Sequence, residues 1–378
     1  MQSTGIRSVR PAYTAADFEI SPLLVFYEVT RACDMLCRHC RAKAQRRAAA
    51  GELDTQQSKK LIGKLAEFPK PPVLVLTGGD PFMRDDLEEL VAHAREHGLP
   101  VALSPSATDR VTHSRLQELA RIGVSAISLS LDGADATTHD QFRGVAGSYA
   151  RTLELVSIAS RIGLSVQINT TVARHNLHQL DAMAVQLRSF SISTWSVFFL
   201  VPTGRAKPHQ RLTAIEIEAA FDTIHHHSLR ESYRIKTTEA PHYRRFVLQQ
   251  AYGRTASQRC SNELLGGVGL VGTNDGRGVM FISHRGEFFP SGFMPTEAGR
   301  FPLDHPVRIY QDSVIFKSLR DSELLKGKCG CCEFQKVCGG SRARAMAIHG
   351  DPLAQEPDCI YQPAAWKQHT SKGITCSL

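Results

Sequence analysis

The sequence predicts an α/β protein: a partial (β/α)6, TIM-like barrel followed by a small C-terminal α+β domain. Strand-like and helix-like segments alternate between about residues 23 and 201, the strands are apolar on nearly both faces, and the composition changes after residue 260. Alternation at this spacing is typical of β/α units. Strands that are apolar on both faces are typical of a parallel sheet buried beneath helices.

Six strands are predicted, over residues 23–30, 73–77, 100–104, 124–131, 165–172 and 194–201. Amphipathic segments such as DLEELVAHAREHG and HSRLQELARIG separate them, and each ends at a glycine that suits a helix C-terminus. Six parallel β/α units form an open barrel. In such sheets the chemistry gathers at the carboxyl ends of the strands.

The chain divides into four parts. Residues 1–22 are an irregular lead-in, 23–204 form the barrel core, 205–260 form a mostly helical connector, and 261–378 form a glycine-rich domain with a hairpin-like GVMFISHRGEFFPSG. The connector contains three adjacent histidines at 225–227. Since three adjacent side chains on a helix cannot all face one metal ion, these histidines are predicted to form an exposed helix face.

The charge balance is basic: 45 Lys and Arg stand against 37 Asp and Glu, a net charge of +8. This surplus suits a carboxylate-rich substrate or an acidic redox partner, although a solvated surface explains it equally well. The charges are spread without a long basic block, so no nucleic-acid partner is predicted. No apolar run approaches the ~20 residues needed to cross a bilayer, and the polar N-terminus is unlike a secretory signal. We therefore expect a cytoplasmic protein with no membrane partner.

The ten cysteines are concentrated in two short segments. Seven of them are Cys33, Cys37, Cys40, Cys329, Cys331, Cys332 and Cys338. Clustered cysteines in a reducing cytoplasm ligate metal more often than they form disulfides. Both segments are therefore predicted to be metal sites.

The first cysteine group lies on a loop that leaves the first predicted strand. Its C-x3-C-x2-C spacing supplies three thiolates, which can bind three irons of a [4Fe–4S] cluster and leave the fourth iron open. Structural zinc is the alternative, but zinc normally takes four protein ligands and only His39 is offered nearby. The next strand ends in TGGDP, in which two glycines let backbone groups come close to a ligand and proline fixes the turn that follows.

Together these motifs resemble the radical S-adenosylmethionine (SAM) superfamily over roughly residues 20–205. The resemblance implies an oxidoreductase or lyase-type enzyme whose open iron chelates SAM, with an electron donor such as flavodoxin or ferredoxin. Reductive cleavage of SAM then gives a 5′-deoxyadenosyl radical that abstracts a substrate hydrogen atom. The implied SAM contacts are His39, Gly78, Gly79, Asp80, Ser104 or Ser106, Ser130, Asp132, Arg143, Asn169 and Val201. Capping of turns is the alternative role of Asp132 and Asn169, and no catalytic acid or base is predicted.

The second cysteine group resembles the ligand set of an auxiliary [4Fe–4S] cluster in SPASM and twitch domains. The implied ligands are Cys329, Cys332, Cys338 and Cys359, and a four-thiolate zinc site is the alternative. Serines or arginine stand where a full SPASM domain has further cysteines, at Ser291, Ser341 and Arg342. A single auxiliary cluster is therefore expected, with Cys260, Cys331 and Cys376 outside its ligand set.

Several stretches resemble enzymes of the alternative heme and heme d1 pathways, which modify tetrapyrrole side chains. These stretches are EVTRACDMLCRHCRAKA, HDQFRGVAGSY, VPTGR, GKCGCCEF and CGGSRARA. A tetrapyrrole side-chain-modifying enzyme is therefore the leading prediction. The alternatives are a maturase of ribosomally made peptides, an antibiotic- or sugar-modifying radical SAM enzyme, and a non-catalytic iron–sulfur or zinc protein.

Overall fold

The computed structural model of the protein describes residues 13–253 and 272–371. Strands in these residues form one ten-stranded sheet. They are β1 (Leu24–Glu28), β2 (Val73–Thr77), β3 (Val101–Leu103), β4 (Val124–Ser130), β5 (Ser165–Val172), β6 (Thr194–Phe199), β7 (Arg234–Thr238), β8 (Val279–Ile282), β9 (Glu287–Phe289) and β10 (Gly299–Arg300). All six predicted strands are present.

Helices connect most of the strands. They are α1 (Asp17–Ile20), α2 (Thr55–Leu65), α3 (Leu87–Glu96), α4 (His113–Arg121), α5 (Ala136–Arg143), α6 (Ser148–Arg161), α7 (Leu180–Leu187), α8 (Ala214–Ser228), α9 (His242–Tyr252), α10 (Pro306–Asp312), α11 (Val314–Arg320), α12 (Gly327–Gly330), α13 (Arg342–His349) and α14 (Ala364–Ser371). Short polar side chains cap several N-termini, as Asp54 does before α2 and Thr213 before α8. In the described part of the chain, no helix is long and apolar enough to span a bilayer.

The sheet has the parallel order of a β/α barrel that remains open. Strands β1 to β7 are neighbours in sequence order, β8 pairs in parallel with β1, and β9 and β10 complete the other edge in antiparallel pairing. The C-terminal hairpin of β8 and β9 therefore extends the barrel sheet. Strand β7 was not predicted, because the connector was expected to be mostly helical, and it adds a further strand beside β6.

The two faces of the sheet differ in polarity. Along β5, Ile168 and Thr170 are buried towards the helices, whereas the alternating residues Gln167 and Asn169 are only partly buried. Alternate strand residues point to opposite faces, so a helix-covered apolar face lies behind a polar inner face. The carboxyl ends of β1 to β7 meet at one edge of this inner face, which is where the cysteine loop begins.

The histidine triplet lies on α8, and the prediction of an exposed face is wrong for His227. Its Nε2 lies 2.7 Å from Asp181 Oδ1, and its Nδ1 lies 3.0 Å from Glu231 Oε1. His226 is exposed, as predicted. Successive residues on a helix are rotated by about 100°, so the triplet reaches both the packed side and the solvent side of α8.

Candidate cluster and cofactor site

The first cysteine group lies on irregular chain that follows β1 at the carboxyl edge of the sheet. Burial raises the pKa of the Cys33 thiol to about 11 and also raises that of Cys37. The thiols also interact electrostatically. The negative charge of Cys37 adds to the rise in the pKa of Cys33, and that of Cys40 adds to the rise in the pKa of Cys37. Three clustered thiols whose charge needs compensation fit a polynuclear iron site.

Gly78 and Gly79 hold the cysteine loop against the end of β2. The N–H of Gly79 donates to Thr30 O at 2.8 Å, and the N–H of Asp80 donates to Ala32 O at 2.8 Å. A Cβ on Gly79 would lie 2.3 Å from Ala32 O, and one on Gly78 would lie 2.5 Å from Thr30 O. Both glycines therefore allow the backbone of β2 to approach the backbone of the cysteine loop.

The Asp80 carboxylate stabilises the turn that follows β2 through hydrogen bonds. It accepts hydrogen bonds from Phe82 N at 3.1 Å and from Thr108 Oγ1 at 2.9 Å, and burial raises its pKa to about 6. Ser106, the alternative to Ser104, lies beside the cysteines. Its Oγ is 3.4 Å from Cys33 Sγ and 3.3 Å from Gly79 O. Ser106 therefore links the glycine turn to the first cysteine.

Asp132 and Arg143 form a buried ion pair next to the second cysteine. Arg143 Nε lies 2.7 Å from Asp132 Oδ2, and Arg143 Nη1 lies 3.6 Å from Cys37 Sγ. Burial alone would lower the pKa of Arg143, but Asp132 and Cys37 raise it. The other Asp132 oxygen accepts the N–H of Thr171 at 2.7 Å. Arg143, held in place by Asp132, therefore presents a positively charged group beside Cys37.

His39 is at one end of an aromatic stack that has Phe142 in the middle. Its ring lies 3.9 Å from that of Phe142 at an angle of 8°, and Phe142 in turn contacts His175 at 4.0 Å. Burial lowers the pKa of His39 to about 3, so the imidazole is neutral at physiological pH. Its Nδ1 is buried and has no hydrogen-bond partner among the described residues. That orphaned nitrogen is available to a ligand.

Three of the other predicted SAM contacts lie on the inner face. Ser130 is opposite Asn169 in the sheet register, and Ser104 directly follows β3. Asn169 Oδ1 also accepts a hydrogen bond from Gln167 Nε2 at 2.7 Å. Val201 differs from these, because it is buried in a small apolar cluster with residues of the C-terminal segment.

The second cysteine group surrounds α12. Burial raises the pKa of Cys338 well above its ordinary value, and the charges of Cys359, Cys329 and Cys332 add to the rise. The four predicted ligands are therefore close enough to repel one another as thiolates. Cys331 Sγ instead lies 3.8 Å from Gly327 O and from Lys328 O.

In residues 13–253 and 272–371, no three His, Cys, Asp or Glu side chains converge closely enough to hold one metal ion. Cys260 and Cys376 lie outside the described residues.

Sequence reasoning missed a buried network that connects the second cysteine group to the barrel. Arg344 is fully buried and lies 3.0 Å from Glu356 Oε1 and 3.3 Å from Asp358 Oδ2. It also donates to the carbonyl of Phe199 at 3.2 Å, at the end of β6. The backbone N–H of Glu356 faces Cys329 Sγ at 3.2 Å. Charged residues immediately before Cys359 were the available signal.

A second missed cluster lies at the carboxyl end of β1. The buried carboxylate of Glu28 accepts hydrogen bonds from His284 Nδ1 at 2.8 Å and from Arg41 Nη1 at 3.0 Å. Burial alone would raise the pKa of Glu28, but His284 and Arg41 hold it below its ordinary value. Arg41 also lies 4.3 Å from the ring of Phe281. This cluster connects the cysteine loop to β8.

Comparisons with known proteins agree with these motifs. A sequence profile described as "Radical SAM superfamily" matches residues 27–187. The AdoMet-dependent heme synthase of Methanosarcina barkeri is 37% identical over 91% of this chain and 97% of its own length. The enzyme of the same name from Nitratidesulfovibrio vulgaris is 38% identical over 90% and 92%. The crystal structure of Streptococcus suis SuiB bound to S-adenosylmethionine superposes with a TM-score of 0.70 at 16% identity, covering 90% of this chain and 78% of that one. At that identity, the superposition supports the fold alone.

Proposed function

This chain belongs to the radical SAM superfamily, and we propose that it modifies propionate side chains of an iron-containing tetrapyrrole. Its superfamily membership makes it an enzyme that uses a [4Fe–4S] cluster and SAM. The proposed substrate is supported by similarity along almost the whole length of two heme synthases, at 37% and 38% identity. The net charge of +8 suits such a polycarboxylate.

Cys33, Cys37 and Cys40 are the proposed ligands of the cluster that serves SAM. When bound, this cluster supplies one electron to the sulfonium of SAM, giving methionine and a 5′-deoxyadenosyl radical. Flavodoxin or ferredoxin is the proposed electron donor. None of the eight cysteines in the described residues forms a disulfide, which supports a reducing, cytoplasmic location.

The residues around the cluster have distinct proposed roles toward SAM. Gly78, Gly79 and Asp80 present backbone groups for its amino group, and the neutral ring of His39 packs near its adenine. Arg143 has five N–H donors, and its contacts with Asp132 and Cys37 use two of them. Its remaining donors are available to the carboxylate of SAM. Ser104, Ser130, Asn169 and Val201 are proposed further contacts at the strand ends.

The second cysteine group is proposed to hold an auxiliary [4Fe–4S] cluster. Conversion of a propionate to a vinyl group removes a hydrogen atom, CO2 and one electron, so the reaction needs a one-electron acceptor. Cys329, Cys332, Cys338 and Cys359 supply the four thiolates that an electron-transfer cluster requires. The charges of the other three thiols add to the rise in the pKa of Cys338, and this proximity supports the assignment.

The proposed function is tested with iron-coproporphyrin III. Anaerobically reconstituted enzyme is incubated with SAM, a reductant and this tetrapyrrole, and the products are analysed by mass spectrometry. We expect loss of one CO2 and two hydrogen atoms per modified side chain, with one 5′-deoxyadenosine formed each time. Cys37→Ala should form neither product. Continued formation of 5′-deoxyadenosine with no change in the tetrapyrrole would exclude this substrate.

A further inference from the structure

Lys236 lies on the inner face of the sheet, on the strand that was not predicted. Its neighbour Ile235 packs against the core on the helix-covered side, so Lys236 points to the opposite side. The register places Lys236 beside Ser196 of β6 and Ser196 beside Asn169 of β5. Lys236 is therefore in the same transverse row as Asn169 and Ser130, two of the proposed SAM contacts.

No carboxylate of the described residues forms an ion pair or hydrogen bond with the ammonium of Lys236. Lys59, Lys64 and Lys326 each lie within 2.8 Å of a carboxylate oxygen. Another cation lies near Lys236, because Arg234 is two residues earlier on the same strand, and its positive charge adds to the lowering of the pKa of Lys236. Burial lowers the pKa of Lys236 to about 8. A sheltered charge without a counter-ion is costly to keep in a fold.

The surroundings of Lys236 suit a ligand that is both apolar and anionic. The side chain is partly exposed, so an external group can reach it. The Ser196 and Thr238 hydroxyls beside it bond to each other at 3.0 Å. On the same face of β6, the ring of Phe198 is partly exposed and lies 6.4 Å from that of Phe293. A cation beside aromatic rings matches a flat aromatic molecule that carries a carboxylate.

We propose that Lys236 binds a carboxylate of the substrate and thereby orients it beneath the SAM site. This inference rests on the proposed function, in which the carboxylate belongs to a tetrapyrrole propionate. The anion that the fold does not provide then comes from the substrate. Lys236 is a substrate-binding residue in this proposal, and no proton transfer is assigned to it.

The test compares wild-type enzyme with Lys236→Met and Lys236→Arg. Binding of iron-coproporphyrin III and of its tetramethyl ester is followed by the tetrapyrrole absorption band in the presence of SAM. We expect Lys236→Met to weaken binding of the acid by roughly 10- to 100-fold and to leave binding of the ester nearly unchanged. Lys236→Arg should retain most of the affinity, because it keeps the charge. Lys60→Met, at an exposed position of α2, is the matched control and should bind like the wild type.

The outcomes separate this inference from the function on which it rests. Iron content should be the same in all variants, which shows that the cluster sites are intact, and Lys60→Met should form 5′-deoxyadenosine without substrate as the wild type does. If the wild type converts iron-coproporphyrin III and Lys236→Met binds it equally well, the role of Lys236 is refuted and the proposed function stands. If the wild type neither binds nor converts the tetrapyrrole, the proposed function fails and this role of Lys236 fails with it.

Discussion

Arg143 and Lys236 are both cations of the barrel, and they differ in what faces them. Arg143 is held by Asp132 at 2.7 Å and faces Cys37, so its charge is compensated within the fold. Lys236 has no such carboxylate among the described residues and lies near Arg234. A charge that is partly removed from water and has no partner costs stability. The first residue is therefore expected to stabilise the folded protein and the second to destabilise it.

Replacing Lys236 with Met should make the protein more stable below about pH 8. The pKa of Lys236 falls from 10.5 to about 8 in the folded protein, so between these values the unfolded chain binds more protons. Stability of the wild type therefore rises with pH across this window, and the destabilising effect of Lys236 is complete below it. Denaturant midpoints should show Lys236→Met above the wild type at neutral pH, with the difference shrinking towards pH 10.5. A variant less stable than the wild type throughout would indicate that Lys236 has a structural role.

Replacing Arg143 with Gln should have the opposite effect. The substitution leaves the buried Asp132 carboxylate uncompensated, and breaking a buried pair in this way costs about 3–5 kcal/mol. Chemical denaturation at neutral pH measures this loss. Arg121→Gln is the control, because Arg121 and Glu118 form an ion pair in which both side chains are exposed. Equal effects of the two substitutions would show that the Asp132 pair adds no more stability than a surface pair.

At the scale of elements, the cysteine loop depends on its contact with the end of β2. The glycine turn was predicted to allow close backbone approach to a ligand, whereas the structure shows close approach to the loop itself. Two backbone hydrogen bonds, Gly79 N to Thr30 O and Asp80 N to Ala32 O, join these elements at 2.8 Å each. The sequence motif therefore revealed the need for glycine but not which atoms require it.

Gly79→Ala should separate the loop from β2 and reduce the iron content of the N-terminal site. The new Cβ would lie 2.3 Å from Ala32 O and 2.6 Å from Arg31 O, so the backbone that carries Cys33 must shift. The iron content of purified protein and the yield of 5′-deoxyadenosine should both fall.

The control for this substitution is Gly63→Ala, in the middle of α2. There a Cβ would meet only the His97 ring, at 3.7 Å, and alanine should stabilise the helix by about 1 kcal/mol. Normal iron content in Gly79→Ala would show that the loop adapts without losing its metal site.

Strand β7 shows where prediction from sequence reached its limit. Its sequence, Arg-Ile-Lys-Thr-Thr, has one apolar residue on the outer face and polar residues on the inner face. The predicted strands were recognised because they are apolar on nearly both faces, and this segment lacks that signal. The polar residues on the inner face, which prevented recognition of the strand from sequence, are the same ones that line the proposed substrate site.

At the scale of the whole molecule, strand pairing and a buried charge network are among the contacts that join the C-terminal segment to the barrel. Strand β8 pairs with β1 in parallel, and Arg344 connects the loop of Cys359 to the end of β6. The resemblance to SPASM and twitch domains implied a second ligand set, but the attachment of this segment to the barrel was not predictable. It depends on contacts between residues that are over a hundred positions apart in the chain, and spacing within a motif carries no information about them.

Cys338→Ala should remove the auxiliary site and leave the N-terminal site intact. The two cysteine groups lie on different elements. Burial raises the pKa of Cys338, and the negative charges of Cys359, Cys329 and Cys332 add to this rise, which is the proximity that a shared cluster requires. Wild-type protein should contain about eight irons per chain and the variant about four. The variant should still form 5′-deoxyadenosine, whereas conversion of the tetrapyrrole should be lost, because the electron released with CO2 has no acceptor.

Two controls make this experiment decisive. Cys331→Ala removes a neighbouring thiol that is outside the predicted ligand set, and Ser291→Ala removes a hydroxyl where a further cysteine would stand in a full SPASM domain. Neither should change the iron content. About four irons per wild-type chain would contradict the prediction of an auxiliary cluster, because one cluster accounts for four irons. Iron loss in Cys331→Ala as large as in Cys338→Ala would instead mean that the ligand set includes Cys331, because removing a thiol outside the set breaks no iron–sulfur bond.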